Sequence, residues 1–187
     1  MLIDRLKQAG VVFEKGMTER ELDLAEEFFG FRFPAELRAF LSEAVPVGED
    51  FFDYRDHSPE NLKWFRDFED RIEKGFRFDL NAKENREELL ELLGERLGFL
   101  QDDPAFDEAV IRYWKESPRL IPFFAHRCFF DGMDGMPIIS FLQPVDTIVY
   151  GFDLEDYLEA EFLGNDDPAE LPPDLLKGTG IWENLIW

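Results

Sequence analysis

Cysteine and histidine are scarce in this sequence of 187 residues, and their scarcity excludes several kinds of site. One cysteine, Cys128, allows neither an internal disulfide nor a metal site built from several thiolates. Two histidines, His57 and His126, cannot form a histidine-rich metal centre unless carboxylates join them. A lone cysteine also agrees with a reducing compartment.

Long apolar runs and nucleotide-binding motifs are missing as well. No stretch approaches the ~18 apolar residues of a membrane span, and the first residues lack the apolar core of a signal peptide. We therefore expect a cytoplasmic protein with no membrane partner. The patterns G-x-x-x-x-G-K-[ST], G-x-G-x-x-G, G-x-S-x-G and H-E-x-x-H do not occur, so the sequence implies no cofactor.

Positive charge is scarce, and its distribution is uneven. The chain has 42 Asp and Glu against 20 Lys and Arg, a formal charge of −22. No Lys or Arg occurs between Arg127 and Lys177, an interval that holds twelve acids. Nucleic acid is therefore a poor partner, whereas a basic protein would be attracted at long range. Solubility alone is the competing explanation for such a charge.

Apolar residues are abundant enough for a folded core. Hydrophobic residues make up 45% of the chain, and 21 of them are Phe. This composition excludes a disordered acidic tail. At this length we expect a single domain over residues 1–187.

The first two thirds of the chain predict mainly helices. Thr18 to Glu21 have the form of a capping box, and the helix they open should end before Gly30. Further helices are predicted after Pro34, after Ser58-Pro59, over 83–97 and after Asp103-Pro104. Residues 46–57 show no clear period and predict a loop. Alternation over 75–80 predicts a short strand.

The last third predicts strands. Short apolar runs over 120–125, 136–142 and 147–152 are separated by turn residues, and we expect them to pair as an antiparallel meander. Asp153 should cap a final helix. The tail over 165–187 is expected to be irregular, with Ile181, Trp182, Leu185, Ile186 and Trp187 packed on the body. Early helices and late strands predict an α+β fold, an antiparallel sheet flanked by helices.

Two sets of neighbouring residues have the residue types of a chemical site. His126, Cys128, Asp131 and Asp134 offer N, S and O ligands to zinc, but their spacing matches no zinc motif, and acidic residues before glycine are common in turns. Cys128 and His126 also suggest a nucleophile and its base. A cysteine followed by two phenylalanines is more often a small buried apolar residue. We expect neither a metal site nor a catalytic residue.

Carboxylate pairs carry no specific signal in this chain. Asp153 with Glu155 and Asp156 would suit an acid hydrolase by residue type alone. With 42 acids in 187 residues, however, close pairs are expected by chance. A hydrolase stays the weakest of the functions considered.

The order of several segments is similar to that of a known family. Residues 21–41 combine an acidic helix, a glycine, an aromatic pair and a helix that begins Pro-Ala-Glu-Leu-Arg-Ala-Phe-Leu. Segments 45–56, 120–127, 136–140 and 147–158 follow. Together, over 18–162, they resemble the SUKH superfamily. One departure concerns residues 42–46, where many relatives have an Asn-Gly-Gly turn.

The resemblance implies an α+β domain that acts by binding. Such domains are commonly immunity proteins, encoded beside a polymorphic toxin that they neutralise by direct contact, and fungal relatives regulate cell-wall assembly. The family brings no catalytic residues. We therefore expect a non-enzymatic protein whose partner is a cognate toxin, for which a basic nuclease domain fits the charge. An intracellular scaffold or regulator of a cellular protein is the alternative.

The residues expected to contact the partner are acids in turns, in a loop and at a helix start. They are Asp131, Asp134, Asp153, Glu155, Asp156, Glu49, Asp50 and Asp53.

Overall fold

The computed structural model describes residues 1–165, 172 and 174–186, and its elements confirm the α+β fold. They are α1 (Leu2–Gln8), β1 (Val12–Lys15), α2 (Glu19–Phe29), α3 (Ala35–Glu43), β2 (Ala44–Val47), α4 (Pro59–Asn81), α5 (Lys83–Leu97), α6 (Ala105–Glu116), β3 (Leu120–Phe124), β4 (Arg127–Phe130), β5 (Ile138–Gln143), β6 (Asp146–Gly151), α7 (Leu154–Leu163) and α8 (Trp182–Leu185). Helices dominate the first two thirds, and the larger sheet lies in the last third, as predicted.

Two antiparallel sheets form. The larger has the order β3-β4-β5-β6, so the predicted meander is confirmed, with β4 as a strand that was not predicted. The smaller pairs β1 with β2, and Val12 lies opposite Val47. Neither this sheet nor α1 was predicted, because strands of four residues and a helix of seven are too short for a clear period.

Side chains of the larger sheet alternate between two apolar cores. One core contacts α1, α2, α3 and α7 and receives Ile121, Phe123, Phe129 and Ile138. The other contacts α4, α5, α6 and α8 and receives Leu120, Cys128, Phe130, Ile139 and Phe141. Because successive side chains of a strand point to opposite faces, this alternation places helices on both faces of the sheet.

The strand predicted over 75–80 is wrong, because these residues belong to the long helix α4. Phe76 and Leu80, four residues apart, are 0% and 4% exposed, whereas Phe78 is 61% exposed. A strand would have placed all three on one face. The helix also buries Asp79, which accepts hydrogen bonds from Asn85 Nδ2 (2.7 Å) and from the Val145 backbone N–H (3.1 Å).

Helix ends follow the sequence signals closely. The capping box is present, since Glu21 N–H donates to Thr18 Oγ1 (3.3 Å) and Thr18 N–H donates to Glu21 Oε2 (2.7 Å). Gly30 then ends α2 with φ 74°, a conformation that glycine adopts without strain. The capping signals therefore fix helix boundaries locally.

The tail packs on the body as expected, but the prediction that it is irregular is wrong for Trp182–Leu185, which form α8. The Ile181 backbone N–H donates to Ser117 Oγ (2.8 Å), and Trp182 Nε1 donates to the Pro118 carbonyl (2.8 Å). Trp182 is fully buried. The packing predicted for Trp187, and the conformation of 166–171 and 173, lie outside the described residues.

Phe76 and Phe78 provide a matched test of α4, because both are phenylalanines on one helix. Phe76→Ala should lower the free energy of unfolding by about 3–5 kcal/mol, since it removes a buried ring that contacts Trp114 and Trp182. Phe78→Ala should change it by about 0.5 kcal/mol or less. Urea unfolding measures both, and equal losses would contradict the helical placement.

Candidate interaction surface

Helices cover both faces of the larger sheet, so other molecules can reach the sheet itself only at the ends and edges of its strands. We define the Asp131 end as the ends of β4 and β6 with residues 131–135 and 153–156. We define the His126 end as the β3–β4 turn at Ala125-His126, with the loop 48–56 beside it. The antiparallel order of the strands puts these two ends on opposite sides of the sheet.

The loop of the His126 end runs along β3 and covers that edge. Phe52 N–H donates to the Phe123 carbonyl (2.9 Å), and Ala125 N–H donates to the Asp50 carbonyl (2.7 Å). Phe51 forms an isolated bridge with Phe124. The predicted loop is therefore held at fixed positions on the sheet.

Two predicted site residues of the Asp131 end bind backbone groups far away in sequence. Asp131 Oδ1 accepts a hydrogen bond from the Arg32 N–H (2.7 Å), and Asp134 Oδ1 accepts one from the Ala35 N–H (2.7 Å). Ala35 is the first residue of α3, and the preceding Pro34 supplies no side-chain cap. Asp134 therefore acts as the cap of α3.

Two further predicted acids of this end stabilise the start of α7. Asp153 Oδ1 accepts from the Asp156 N–H (2.8 Å), and Asp156 Oδ2 accepts from the Phe152 N–H (2.8 Å). Glu36 Oε2 reaches the same turn and accepts from the Leu154 N–H (3.2 Å). Burial raises the pKa of Glu36, and the neighbouring charges of Asp153 and Asp134 raise it further.

The predicted acids of the His126 end are in a different situation. Glu49 and Asp50 are exposed, and within the described residues their carboxylates make no hydrogen bond or ion pair. Asp53 accepts a hydrogen bond from the Arg55 N–H (2.9 Å), a local turn contact. Glu155, at the opposite end, is exposed and also makes no such contact within the described residues. The structure thus divides the eight predicted acids between two ends of the sheet.

An acid-lined hollow of about 530 Å³ opens at the Asp131 end. Glu26 lies at its base, only 7% exposed, and accepts from the Phe33 N–H (2.9 Å) and from Arg32 Nη1 (3.1 Å). Arg38 Nη1 lies 3.3 Å from the same carboxylate. The chain's own arginines therefore compensate much of the acidic charge here.

A second, smaller hollow of about 160 Å³ lies at the His126 end, between α4 and β5. It is lined by Phe68, Arg71, Ile72, Ala125, His126, Phe141 and Leu142. Leu142 is 60% exposed at its rim, and Trp64, one helical turn before Phe68, is 41% exposed.

Trp64 and Leu142 were not singled out from the sequence, whereas Phe68 and Ile72 were expected on the inward stripe of their helix. The inward stripe of α4 includes Phe65, Phe68 and Ile72, and Trp64 lies off that stripe. A single exposed aromatic residue off the apolar stripe of a helix is common, as Phe78 of the same helix shows, so the sequence carries no specific signal for this surface.

The two chemical combinations weighed from the sequence do not assemble in the described part of the chain. No group of three or more His, Cys, Asp or Glu there could hold a metal ion. Cys128 is buried, and burial raises the pKa of its thiol far above the ordinary value. His126 contacts the Arg127 side chain, and its pKa is lowered by burial first and by Arg127 second.

No protein-family model, curated protein or solved structure matches this chain. Nor does any helix of the described residues combine the length and apolar character needed to cross a membrane. The resemblance to the SUKH superfamily therefore rests on the order of its sequence segments.

Substitutions at Asp134 and Asp50 distinguish a carboxylate that caps a helix from one that is only exposed at the surface. Asp134→Ala should lower the free energy of unfolding by about 1 kcal/mol, because the first turn of α3 loses its cap. Asp50→Ala, at an exposed carboxylate, should change it by about 0.5 kcal/mol or less. Thermal unfolding of both variants measures this difference, and an unchanged Asp134→Ala protein would contradict the capping role.

Cys128 should be unreactive in the folded protein. Its thiol is buried and its pKa is raised, so the thiolate is not formed at about pH 8, where an exposed cysteine reacts readily. A chromogenic disulfide reagent should therefore label Cys128 only after the protein is unfolded in guanidinium chloride. Rapid labelling of the native protein would contradict this burial and would support a nucleophilic role for Cys128.

Proposed function

We propose that this protein is a non-enzymatic immunity-type protein that binds a cognate polymorphic toxin and neutralises it by covering its active cleft. A basic nuclease domain is the toxin class that best fits the charge. The SUKH-like order of segments supports an immunity protein, and the charge of −22 supports a basic partner.

The observation that most supports this proposal is the pair of unpaired carboxylates on the loop beside β3. Exposed carboxylates at Glu49 and Asp50 are held on a loop fixed to β3, yet they have no cationic partner within the described residues. Some exposed acids elsewhere pair with the chain's own arginines, as Glu19 and Asp23 do with Arg38, whereas others, such as Glu155, are unpaired as well. Unpaired carboxylates on a fixed backbone suit a partner that supplies the positive charge.

The inhibition follows from charge and geometry without any reaction. A strongly negative surface raises the rate of encounter with a basic protein by about 10–1,000-fold at low salt. A nuclease cleft is positively charged because it binds phosphates. Carboxylates that reach this cleft occupy the positions of the phosphates, and the rigid body behind them excludes the nucleic acid.

The test uses the purified toxin domain encoded by the neighbouring reading frame. Titration calorimetry should show a complex that weakens as salt is raised, and addition of the protein should abolish toxin activity. The double variant Glu49→Lys/Asp50→Lys should slow association by about tenfold or more.

The matched control is Glu88→Lys/Glu91→Lys, which makes the same change of charge at two exposed positions of α5. It should slow association much less, because these residues lie away from both ends of the sheet. Failure of the native protein to bind this domain and to protect cells that express it would overturn the proposed function.

A further inference from the structure

We propose that the partner docks on the His126 end of the sheet. There a partner apolar side chain enters the hollow between α4 and β5, and partner Lys or Arg residues beside it reach Glu49 and Asp50. We call this area the α4–β5 surface and define it by Trp64, Arg71, His126, Leu142, Glu49 and Asp50. The identity of the partner rests on the proposed function, whereas the chemistry of the surface does not.

The apolar part of this surface is uncovered in the described structure. Leu142 and Trp64 are 60% and 41% exposed, and Phe68 lies at the base between them. Arg71 lies over both rings, with its guanidinium carbon 5.2 Å from the Trp64 ring centre and 5.9 Å from that of Phe68. Tryptophan and arginine beside an apolar hollow are typical of the residues that dominate binding energy at interfaces.

Backbone hydrogen bonds fix the turn in this surface without any partner. Ala125 has φ 50°, the only positive φ of a non-glycine residue in the described chain. It is held there by the bond to Asp50 and by the adjoining His126 carbonyl, which accepts from the Phe141 N–H (2.9 Å). A strained residue persists where its surroundings fix it, and such residues concentrate at functional sites. A preformed surface loses less conformational entropy on binding.

The loop that carries the carboxylates is joined to the apolar part. Phe52 packs on Trp64 with ring centres 5.2 Å apart, and Phe51 packs on Phe124 at 4.6 Å. Glu49 and Asp50 therefore lie on a loop whose backbone contacts Ala125, which lines the hollow, and whose Phe52 contacts Trp64. An apolar centre with a charged rim is the usual anatomy of a protein interface.

The charge of the surface selects the occupant. The Glu49 and Asp50 carboxylates favour a basic segment, and the lowered pKa of His126 keeps its ring neutral near pH 7. Arg71, stacked on two rings, can donate to a backbone carbonyl of the partner. A second copy of this chain is disfavoured, because two molecules of charge −22 repel each other.

The Asp131 end is less suited to the same task. Four of its predicted acids already accept backbone N–H groups, which lie at Arg32, at the start of α3 and around the start of α7. A partner cation there would compete with those contacts and weaken the helix starts.

A random peptide library displayed on phage provides a probe that does not depend on the toxin. Selection on the native protein should enrich peptides with an apolar residue flanked by Lys or Arg. Leu142→Glu and Trp64→Ala should each weaken the selected peptides by about tenfold or more, because they remove the apolar centre. Leu100→Glu is the matched control, since Leu100 is 92% exposed in a different loop, and it should leave the affinity unchanged. Circular dichroism checks that each variant is folded.

The results of these experiments distinguish failure of the docking surface from failure of the proposed function. Absence of enrichment, selection of acidic peptides, peptide binding that survives both Leu142→Glu and Trp64→Ala, or concentration-dependent dimers of the native protein that these variants abolish would overturn it. If the peptides bind as expected while the neighbouring toxin domain does not, the surface assignment stands and the proposed function fails. If the toxin domain binds and Leu142→Glu leaves its affinity unchanged, the function stands and the surface assignment fails.

Discussion

The burial of both faces of the four-stranded sheet is the constraint on which the rest of the molecule depends. Strand residues alternate between two apolar cores, and helices close each core from outside. A sheet covered in this way offers no open face to a partner. A partner can therefore reach the sheet itself only at the ends and edges of its strands and at the loops attached there.

The two ends use the same residue type for different purposes. At the Asp131 end, carboxylates replace the helix caps that Pro34 cannot provide and hold the start of α7. Their carboxylates accept hydrogen bonds from backbone N–H groups at helix starts and so stabilise the fold. At the His126 end, Glu49 and Asp50 make no such contact within the described residues, and their backbone is fixed to β3 instead. The large negative charge of the chain is thus only partly available for binding.

Local rules predicted much of the fold and little of the site. The capping box at Thr18, the cap at Asp153 and the meander depend on residues close in sequence, and each is confirmed. The strand predicted over 75–80 is wrong, because six residues are too few to distinguish the period of a strand from that of a helix. The packing of Phe76 on Trp182, which lies far along the chain, favours the helix.

The roles of the acidic residues could be assigned only from the folded structure. Asp131 and Asp134 bind N–H groups that are each 99 residues away, and no local pattern reveals such a pair. Composition correctly indicated an acidic surface, but it did not distinguish capping carboxylates from unpaired ones. The apolar centre at Trp64 and Leu142 was not predicted, because these exposed residues belong to α4 and β5, which only the folded chain brings together.

Hydrogen–deuterium exchange of the protein with and without the neighbouring toxin domain tests the central claim most directly. Docking at the His126 end predicts slower exchange on binding in residues 48–56, 64–71 and 125–128, with residues 131–135 and 153–156 unchanged. Protection confined to 131–135 and 153–156 would contradict the account.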